Sequence, residues 1–257
     1  MKWLKRYVKG FYMSLGMFCG IPLPFHIWDE KLTALMIANF PLVGAVIGTI
    51  WWLAAVLLIT LPLPLMLTAA FLSLVPFFIA GFIHLDGYMD TSDALLSWRP
   101  LEDKLRILTD SRVGAFAVIM LGILLMLQFS AMYEVVQSGR YLALVIAISV
   151  VSRCCSALSI FTLPHIPQSN YGSLIKQNIG ISHKVFVVII AMSAIAAAFI
   201  YAGFYGVVTV LAVAAGYAAA IAYAFKGFKG ISGDLLGYAL VISELCGLIA
   251  LAVLQNF

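Results

Sequence analysis

Charge is scarce in this sequence. Only 10% of the 257 residues are Asp, Glu, Lys or Arg and 64% are hydrophobic, whereas soluble proteins average about 25% charged residues. Residues 32–85 contain no charged side chain over 54 positions, and apolar runs beyond roughly 18 residues predict transmembrane helices. A soluble domain is excluded, because it would have no polar surface. The composition predicts an all-α, polytopic integral membrane bundle, a single domain over 1–257 with the lipid bilayer as partner.

Cysteine is also rare and shows no motif. The four cysteines, Cys19, Cys154, Cys155 and Cys246, include no Cys-x-x-Cys pair, so they are expected to be small buried apolar residues. The apolar run after the basic start is interrupted by glycines and by Pro22, which argues against a cleavable signal peptide. The net charge of +4 is spread along predicted loop edges, which gives no indication of a nucleic-acid partner.

Hydropathy and turn residues predict about seven membrane spans. They cover 33–61, 65–84, 113–133, 141–161, two within 185–225 divided near 203–206, and 235–257. Residues 1–12 alternate apolar and basic side chains, which predicts an amphipathic helix at an anionic membrane surface. Pro22 and Pro24 exclude one regular helix over 18–28. Residues 1–31 are therefore expected to form an interfacial or re-entrant segment.

Lysine and arginine are divided unevenly between the two sides of this predicted topology. Thirteen lie in the N-terminal segment and in the connections on its side, and only Arg140 lies in a connection on the other side. The positive-inside rule then places the N-terminus and the segments 86–112, 162–184 and 226–234 in the cytoplasm. The sequence predicts a multi-pass protein of the cytoplasmic (inner) membrane with its active site on the cytoplasmic side.

Six of the 11 carboxylates are concentrated in the segment 86–112, a predicted cytoplasmic acidic loop. If this part is helical, Asp86, Asp90 and Asp93 lie within about 60° of one another on one face. Carboxylates so close together repel one another, and Mg²⁺ or Mn²⁺ relieves the repulsion by taking oxygen ligands. Asp110 follows with Arg112, whose planar guanidinium suits a phosphate. The pattern predicts a metal-assisted phosphate site.

A simpler interpretation is a solvated loop whose acidic side chains pair with Arg99, Lys104 and Arg106. Against it, the cluster begins at the membrane end of a predicted span, where unpaired charge is costly.

Two other places carry polar residues in unusual positions. Arg153 lies about three turns inside a predicted span, where a charged residue indicates function. A structural ion pair between Arg153 and Glu244 is an equally open interpretation. The glycine-rich segment 230–234, with Ser232 and Asp234, exposes backbone N–H groups that suit a phosphate. A tight interhelical turn explains it equally well.

Four segments resemble motifs of the cobalamin synthase family. Residues 84–93 begin His84-Leu85-Asp86-Gly87 and resemble its H-x-D-G-x-x-D-T-x-D motif. The others are 110–115, which resembles D-S-R-x-G-A, 230–237, which is similar to G-x-x-G-D-x-x-G, and 41–48, which is similar to P-x-x-G-x-x-x-G. They occur in the family's order across most of the chain. Tyr88-Met89 replaces the small apolar pair expected there, which leaves the pocket's shape open.

The resemblance implies an adenosylcobinamide-GDP ribazoletransferase. That reaction joins adenosylcobinamide-GDP to α-ribazole or α-ribazole 5′-phosphate with Mg²⁺ and releases GMP, giving adenosylcobalamin or its 5′-phosphate late in cobalamin biosynthesis. Asp86, Asp90, Asp93 and Asp110 are then expected to be catalytic residues and metal ligands. Residues expected to bind substrate are His84, Lys104, Arg106, Arg112, Arg153, Ser232 and Asp234.

Two alternatives belong to other classes. An intramembrane prenyltransferase also binds diphosphate through Mg²⁺ and Asp-rich motifs, although it usually has two motifs and this chain has one complete Asp-x-x-x-Asp. A cation transporter uses acidic residues inside the membrane, and here only Glu244 lies well inside a predicted span. The oligomeric state stays open, a homo-oligomer included.

Overall fold

The computed structural model describes residues 2–166 and 179–255. Lys176, one of the basic residues in the predicted cytoplasmic segment 162–184, lies outside the described residues. The described residues form helices and irregular connections, with one isolated bridge between His165 and Ile231. The α-helices are α1 Lys2–Phe18, α2 Thr33–Ala38, α3 Phe40–Thr60, α4 Leu65–Ile79, α5 Ile83–Leu96, α6 Leu101–Leu108, α7 Ala115–Ser138, α8 Leu144–Thr162, α9 Ile181–Phe228 and α10 Gly233–Leu254. A 3₁₀ turn, Glu30–Leu32, precedes α2.

Five of these helices, α3, α7, α8, α9 and α10, are long and apolar enough to cross a membrane. The bent pair α4 and α5 adds a sixth if it is counted as one span. The all-helical, multi-pass membrane architecture predicted from the composition is therefore confirmed. The count of seven crossings and the interfacial position of α1 stay predictions.

The longest helix, α9, turns back on itself. Its 48 residues would extend about 72 Å as a straight helix, more than twice the bilayer core. Gly203 has a left-handed backbone (φ 56°) that interrupts it. A Cβ on Gly206 would overlap the carbonyl group of Ala198, although residues eight apart in a straight helix are separated by about 12 Å. The two halves of α9 thus form an antiparallel hairpin, with its break at the edge of the predicted 203–206 division.

A sharp bend follows α4. Gly81 and Phe82 both have positive φ, 68° and 61°, and α5 departs from the axis of α4 by 93°. The predicted span 65–84 therefore ends at Ile79. The 14 residues of α5 extend only about 21 Å, too short to cross the bilayer, so we treat α5 as lying outside the membrane-spanning segments.

The segment 86–112, expected as an acidic connection between spans, is not an irregular loop. Most of this segment is helical, in α5 and α6, because each helix buries an apolar face. The buried positions of α5 include Tyr88, Ala94 and Leu95, and α6 packs its Leu108 into the same core. The predicted first span is also divided, since Asn39 separates α2 from α3.

Small residues let α3 and α8 pack closely in antiparallel orientation. A Cβ on Gly44 would overlap the carbonyl of Ser149, and one on Gly48 would lie 2.6 Å from the Cα of Ile146. Glycines at such spacing are typical of helix contacts in membranes, where close backbone approach replaces a hydrophobic driving force. The contact explains the glycines of the 41–48 segment as packing residues.

The bundle has two ends. At one, which we call the site end, lie α5, α6 and the N-termini of α7, α9 and α10. The opposite, far end consists of the connections 61–64 and 139–143 and the reversal at Gly203. The rings of Tyr201 and Tyr205 lie 6.0 and 5.8 Å from that of Tyr141 there, and Gln255 donates to the carbonyl of Arg140.

Candidate functional site

The carboxylates of α5 are held by the buried side of the same helix. Ser92 donates to the Tyr88 carbonyl at 2.6 Å, and the Tyr88 hydroxyl donates to the Met120 carbonyl of α7 at 3.0 Å. The Tyr88 ring stacks on Tyr238 of α10 with centroids 5.7 Å apart. These contacts fix α5 against α7 and α10, and they leave Asp86 exposed and Asp90 and Asp93 half-buried, as their spacing predicts.

Two glycines bring α10 against α5. A Cβ on Gly87 would lie 2.8 Å from the Cα and the carbonyl oxygen of Asp234, and one on Gly237 would lie 3.1 Å from the His84 carbonyl oxygen. The crossing places Asp234 beside the α5 carboxylates. Ser232 caps α10 by accepting from the Leu235 N–H at 3.4 Å, and its hydroxyl also lies 3.4 Å from the Asp234 carboxylate. Asp234, expected on a substrate, thus joins the acidic cluster.

The four carboxylates act on one another electrostatically. Burial, followed by the charges of Asp86, Asp234 and Asp93, raises the pKa of Asp90 to about 6. Within residues 2–166 and 179–255, none of these four aspartates forms an ion pair with a basic side chain. We call Asp86, Asp90, Asp93 and Asp234 the aspartate cluster. Its uncompensated negative charge favours a bound cation.

The chemistry of the cluster fits Mg²⁺. All four donors are carboxylates, the hard oxygen ligands that this ion prefers. In the described part of the chain, no three His, Cys, Asp or Glu side chains come close enough to hold one metal ion together. That spacing suits Mg²⁺ all the same, because it usually keeps several of its waters and binds through only one or two carboxylates. Mg²⁺ would be held here by one or two of these carboxylates, with water molecules completing its ligand shell.

Asp110 and Arg112 form their own pair in the turn between α6 and α7. The Arg112 guanidinium donates to Asp110 at 2.7 Å from Nη2 and 3.1 Å from Nε, and the Arg112 backbone N–H donates at 3.1 Å. These bonds lower the pKa of Asp110 to about 2. The turn also lies against the cluster, since a Cβ on Gly114 would overlap the Asp93 carboxylate. Asp110 thus orients Arg112 beside the cluster, and its expected role as a metal ligand stays a prediction.

The cations of α6 lie on its polar face. Arg106 pairs with Asp103 at 3.2 Å and is exposed, whereas Lys104 is half-buried. Both side chains belong to the site end. The ion pair of Arg106 within α6 is what the interpretation as a solvated, internally paired segment predicts, and it does not by itself indicate phosphate binding.

His84 and Arg153 lie elsewhere. The Arg153 side chain is 1% exposed and ion-paired with Glu244 of α10, and it also donates to the Ser149 carbonyl at 2.9 Å. His84 shares a small cavity with that pair, and none of the four aspartates lines it. The His84 ring is itself buried. The pairing with Glu244 is as the sequence suggested, but the burial argues against direct contact of either residue with a water-soluble substrate.

Comparison with known proteins gives matches that cover most of the chain. Residues 10–252 match the profile of the family described as cobalamin-5-phosphate synthase. The chain belongs to the cobalamin-5-phosphate synthase family. It is 37% identical over 246 residues to a Clostridium botulinum protein named adenosylcobinamide-GDP ribazoletransferase, covering 95% of this chain and 97% of that one. Proteins of the same name from Clostridium perfringens and Geobacillus thermodenitrificans are 35% and 31% identical, covering 98% and 89% of this chain and 100% and 89% of theirs. No solved structure matches the chain.

Several features of this family member's site were missed at the sequence level. Gly87, Gly114 and Gly237 make the contacts that assemble the site, yet they were expected only as parts of motifs. Asp234 was assigned to substrate and not to the cluster. The sequence offers one signal for these contacts, a glycine near an aspartate. Gly87 follows Asp86 directly, and Gly237 follows Asp234 by three residues.

Proposed function

We propose that this chain is an adenosylcobinamide-GDP ribazoletransferase, which joins adenosylcobinamide-GDP to α-ribazole or α-ribazole 5′-phosphate and releases GMP. The observation that carries the proposal is the aspartate cluster at the site end, with the Asp110–Arg112 turn packed against it through Gly114. The family profile and the names of the relatives support the same activity. They do not favour the prenyltransferase or the cation transporter.

The reaction requires a phosphate to be attacked by a hydroxyl and to lose GMP. The ribose hydroxyl of α-ribazole forms a new P–O bond to the phosphate on the corrinoid's aminopropanol arm, and the bond from that phosphorus to the oxygen of the departing GMP breaks. The hydroxyl proton passes to a carboxylate. Asp90 is suited to accept it, because burial and the neighbouring carboxylates raise its pKa to about 6 in the absence of metal.

Charge neutralisation is the second requirement, since GMP departs with negative charge. If Mg²⁺ is bound at the aspartate cluster, it would supply the electrostatic stabilisation that a diphosphate needs. Arg112 offers a planar fork to phosphate oxygens at the same place. Asp110 keeps that fork oriented before substrate binds, because both of its carboxylate oxygens accept hydrogen bonds from the guanidinium group.

We further propose that the protein lies in the cytoplasmic (inner) membrane and that its site end faces the cytoplasm. The excess of Lys and Arg in the connections at this end supports that orientation. Soluble nucleotide substrates would then reach the cluster directly.

Purified protein in detergent, supplied with adenosylcobinamide-GDP, α-ribazole and Mg²⁺, is expected to release GMP together with a cobalamin product, both measured by chromatography. Asp90→Asn is the matched control, since it keeps the side chain's size and removes its charge. Replacing α-ribazole by its 5′-phosphate in parallel identifies the preferred acceptor. GMP release no faster than that of Asp90→Asn would refute the proposal.

A further inference from the structure

A small cavity lies between the α4–α5 bend and the buried Arg153–Glu244 pair. Its walls include Pro76, Phe77, Leu240, His84 and both members of the ion pair. About 10 Å³ is open to the centre of a water-sized sphere. This volume corresponds to about one water molecule and excludes any larger ligand.

Two of the side chains that line this cavity each have a buried polar atom without a partner among the described residues. These atoms are Nε2 of His84 and Nε of Arg153. Arg153 uses Nη1 for Glu244, Ser149 and Ser152, so its Nε–H remains as a donor. Buried polar groups are almost always hydrogen-bonded to protein or to ordered water, and two orphans at one cavity point to a shared ligand.

The surroundings require that ligand to be small and polar. The rings of Phe18 and Phe40 lie 6.4 and 5.7 Å from the His84 ring, and the Arg153 guanidinium lies 5.8 Å from the centroid of Phe40. Together with the apolar lining residues of the cavity, Pro76, Phe77 and Leu240, these rings surround His84 and Arg153 with apolar side chains. A buried water normally needs two to four polar partners, and here Nε–H, Nε2 and the Glu244 carboxylate supply three.

We propose that one water molecule bridges Arg153, Glu244 and His84, and that through it the buried ion pair positions the first turn of α5. The water accepts from the Arg153 Nε–H and donates one hydrogen to Nε2 of His84. Its second hydrogen goes to the Glu244 carboxylate. His84 is then the tautomer protonated at Nδ1, and both His84 and Arg153 are positioning residues that do not touch substrate.

The bridge reaches the aspartate cluster through the backbone. His84 precedes Asp86 by two residues in the same helical turn, and Gly237 of α10 packs on the His84 carbonyl. If the His84 side chain lost its position, the backbone at the start of α5 would therefore be free to shift relative to Asp234. Partners that orient metal ligands from behind typically change metal affinity by 10–100-fold, which gives this inference a measurable consequence that rests on the proposed function.

The first test is independent of activity. Protein labelled with ¹⁵N in its four histidines and purified in detergent is examined by NMR, with the His84 signal assigned by its loss in His84→Gln. The expected result is a non-protonated Nε2, with magnetisation transfer between water and the ring protons next to that nitrogen. A proton on Nε2, or no contact to water, would overturn the proposal whether or not the protein releases GMP.

The second test separates positioning from stability. His84→Gln places an amide oxygen where Nε2 lies and is expected to keep the wild-type Mg²⁺ concentration for half-maximal GMP release, whereas His84→Leu raises it roughly 10–100-fold. Mn²⁺ binding followed by electron paramagnetic resonance should weaken in the same order.

The control is Gln128→Leu, which removes the buried 2.8 Å hydrogen bond from α7 to the Ser73 carbonyl of α4. It is expected to lower the unfolding temperature without moving the Mg²⁺ dependence. Equal effects of His84→Leu and Gln128→Leu on that dependence would reduce His84 to a structural residue. Absence of GMP release by the wild type, with the expected NMR result, would refute the proposed function alone.

Discussion

Gly114 and Asp93 are in direct contact across the site, so that a Cβ atom on Gly114 would overlap both carboxylate oxygens of Asp93. Gly114 has a φ of −84°, which any residue can adopt. The glycine is therefore required by space and not by backbone conformation. The contact joins the Asp110–Arg112 turn to the aspartate cluster and fixes how closely the two can approach.

Gly114→Ala should consequently impair the site more than the fold. The added methyl group must displace the Asp93 carboxylate, and a displaced ligand is expected to weaken Mg²⁺ binding roughly 10–100-fold. The Mg²⁺ dependence of GMP release measures it. Gly122→Ala on α7 is the control, because nothing lies within 4 Å of its Cβ position. Equal activity of the two variants would contradict the contact.

Gly87→Ala tests the crossing of α5 and α10. Its Cβ would lie 2.8 Å from backbone atoms of Asp234, which cannot rotate away as a side chain can. We expect a loss of about 1–3 kcal/mol in unfolding free energy, the usual cost of overpacking, together with loss of turnover. Thermal unfolding in detergent reports the first effect. Gly233→Ala, with open space around its Cβ, should retain wild-type stability, and a similar loss there would argue against a specific crossing.

The raised pKa of Asp90 predicts a pH-dependent stability in the absence of metal. The folded protein binds this proton more tightly than the unfolded chain does, with a pKa of about 6 against 3.8, so the stabilisation is lost as pH rises through about 6. In EDTA, the unfolding temperature of the wild type should fall between about pH 4 and 7. The unfolding temperature of Asp90→Asn should fall less over the same pH range.

Mg²⁺ added at the higher pH should restore the wild type, since the cation replaces the proton among the carboxylates. It should have little effect on Asp90→Asn. Parallel pH profiles of the two proteins would show that Asp90 does not carry the shift.

Arg112→Lys tests the phosphate role of the turn. The Arg112 side chain is 87% exposed, and exposed ion pairs contribute little to stability, so unfolding should not change. Turnover should fall roughly 10–100-fold, corresponding to about 1.5–3 kcal/mol for a charge-assisted hydrogen bond that lysine's geometry cannot reproduce. Arg99→Lys, another exposed arginine at the site end, is the control. Wild-type turnover in Arg112→Lys would leave Arg112 as an interfacial anchor.

The membrane orientation is testable by cysteine labelling. Trp98→Cys at the end of α5 should react with an impermeant maleimide only after the cells are opened. Gln137→Cys at the far end should react in intact cells. Labelling of position 98 from outside would reverse the proposed orientation.

Local spacing in the sequence was enough to predict part of this arrangement. The i, i+4, i+7 aspartates share a face of α5, the break of the long apolar stretch occurs at Gly203, and Arg153 pairs with Glu244. Each of the first two follows from helical periodicity or glycine, and the third from the cost of a lone charge in the membrane.

The remainder depends on tertiary contacts. Asp234 follows Asp93 by 141 residues, and only the packing of α10 on α5 through Gly87 and Gly237 brings it to the cluster. The bend after α4 was equally hidden, because Phe82 adopts a left-handed conformation that its residue type disfavours. The bonds between Asp110 and Arg112 were not expected either, because spacing alone does not show which side chain an aspartate contacts; its role as a metal ligand stays a prediction.

The tight connections of the far end have a practical consequence. The reversal at Gly203 uses no loop, and the connections 61–64 and 139–143 are only four and five residues long. Among the described residues, a protease or an antibody that approaches from that side would find little backbone outside the helices. A fiducial binder for electron microscopy would find more at the site end, where the connection 19–29 runs outside the helices.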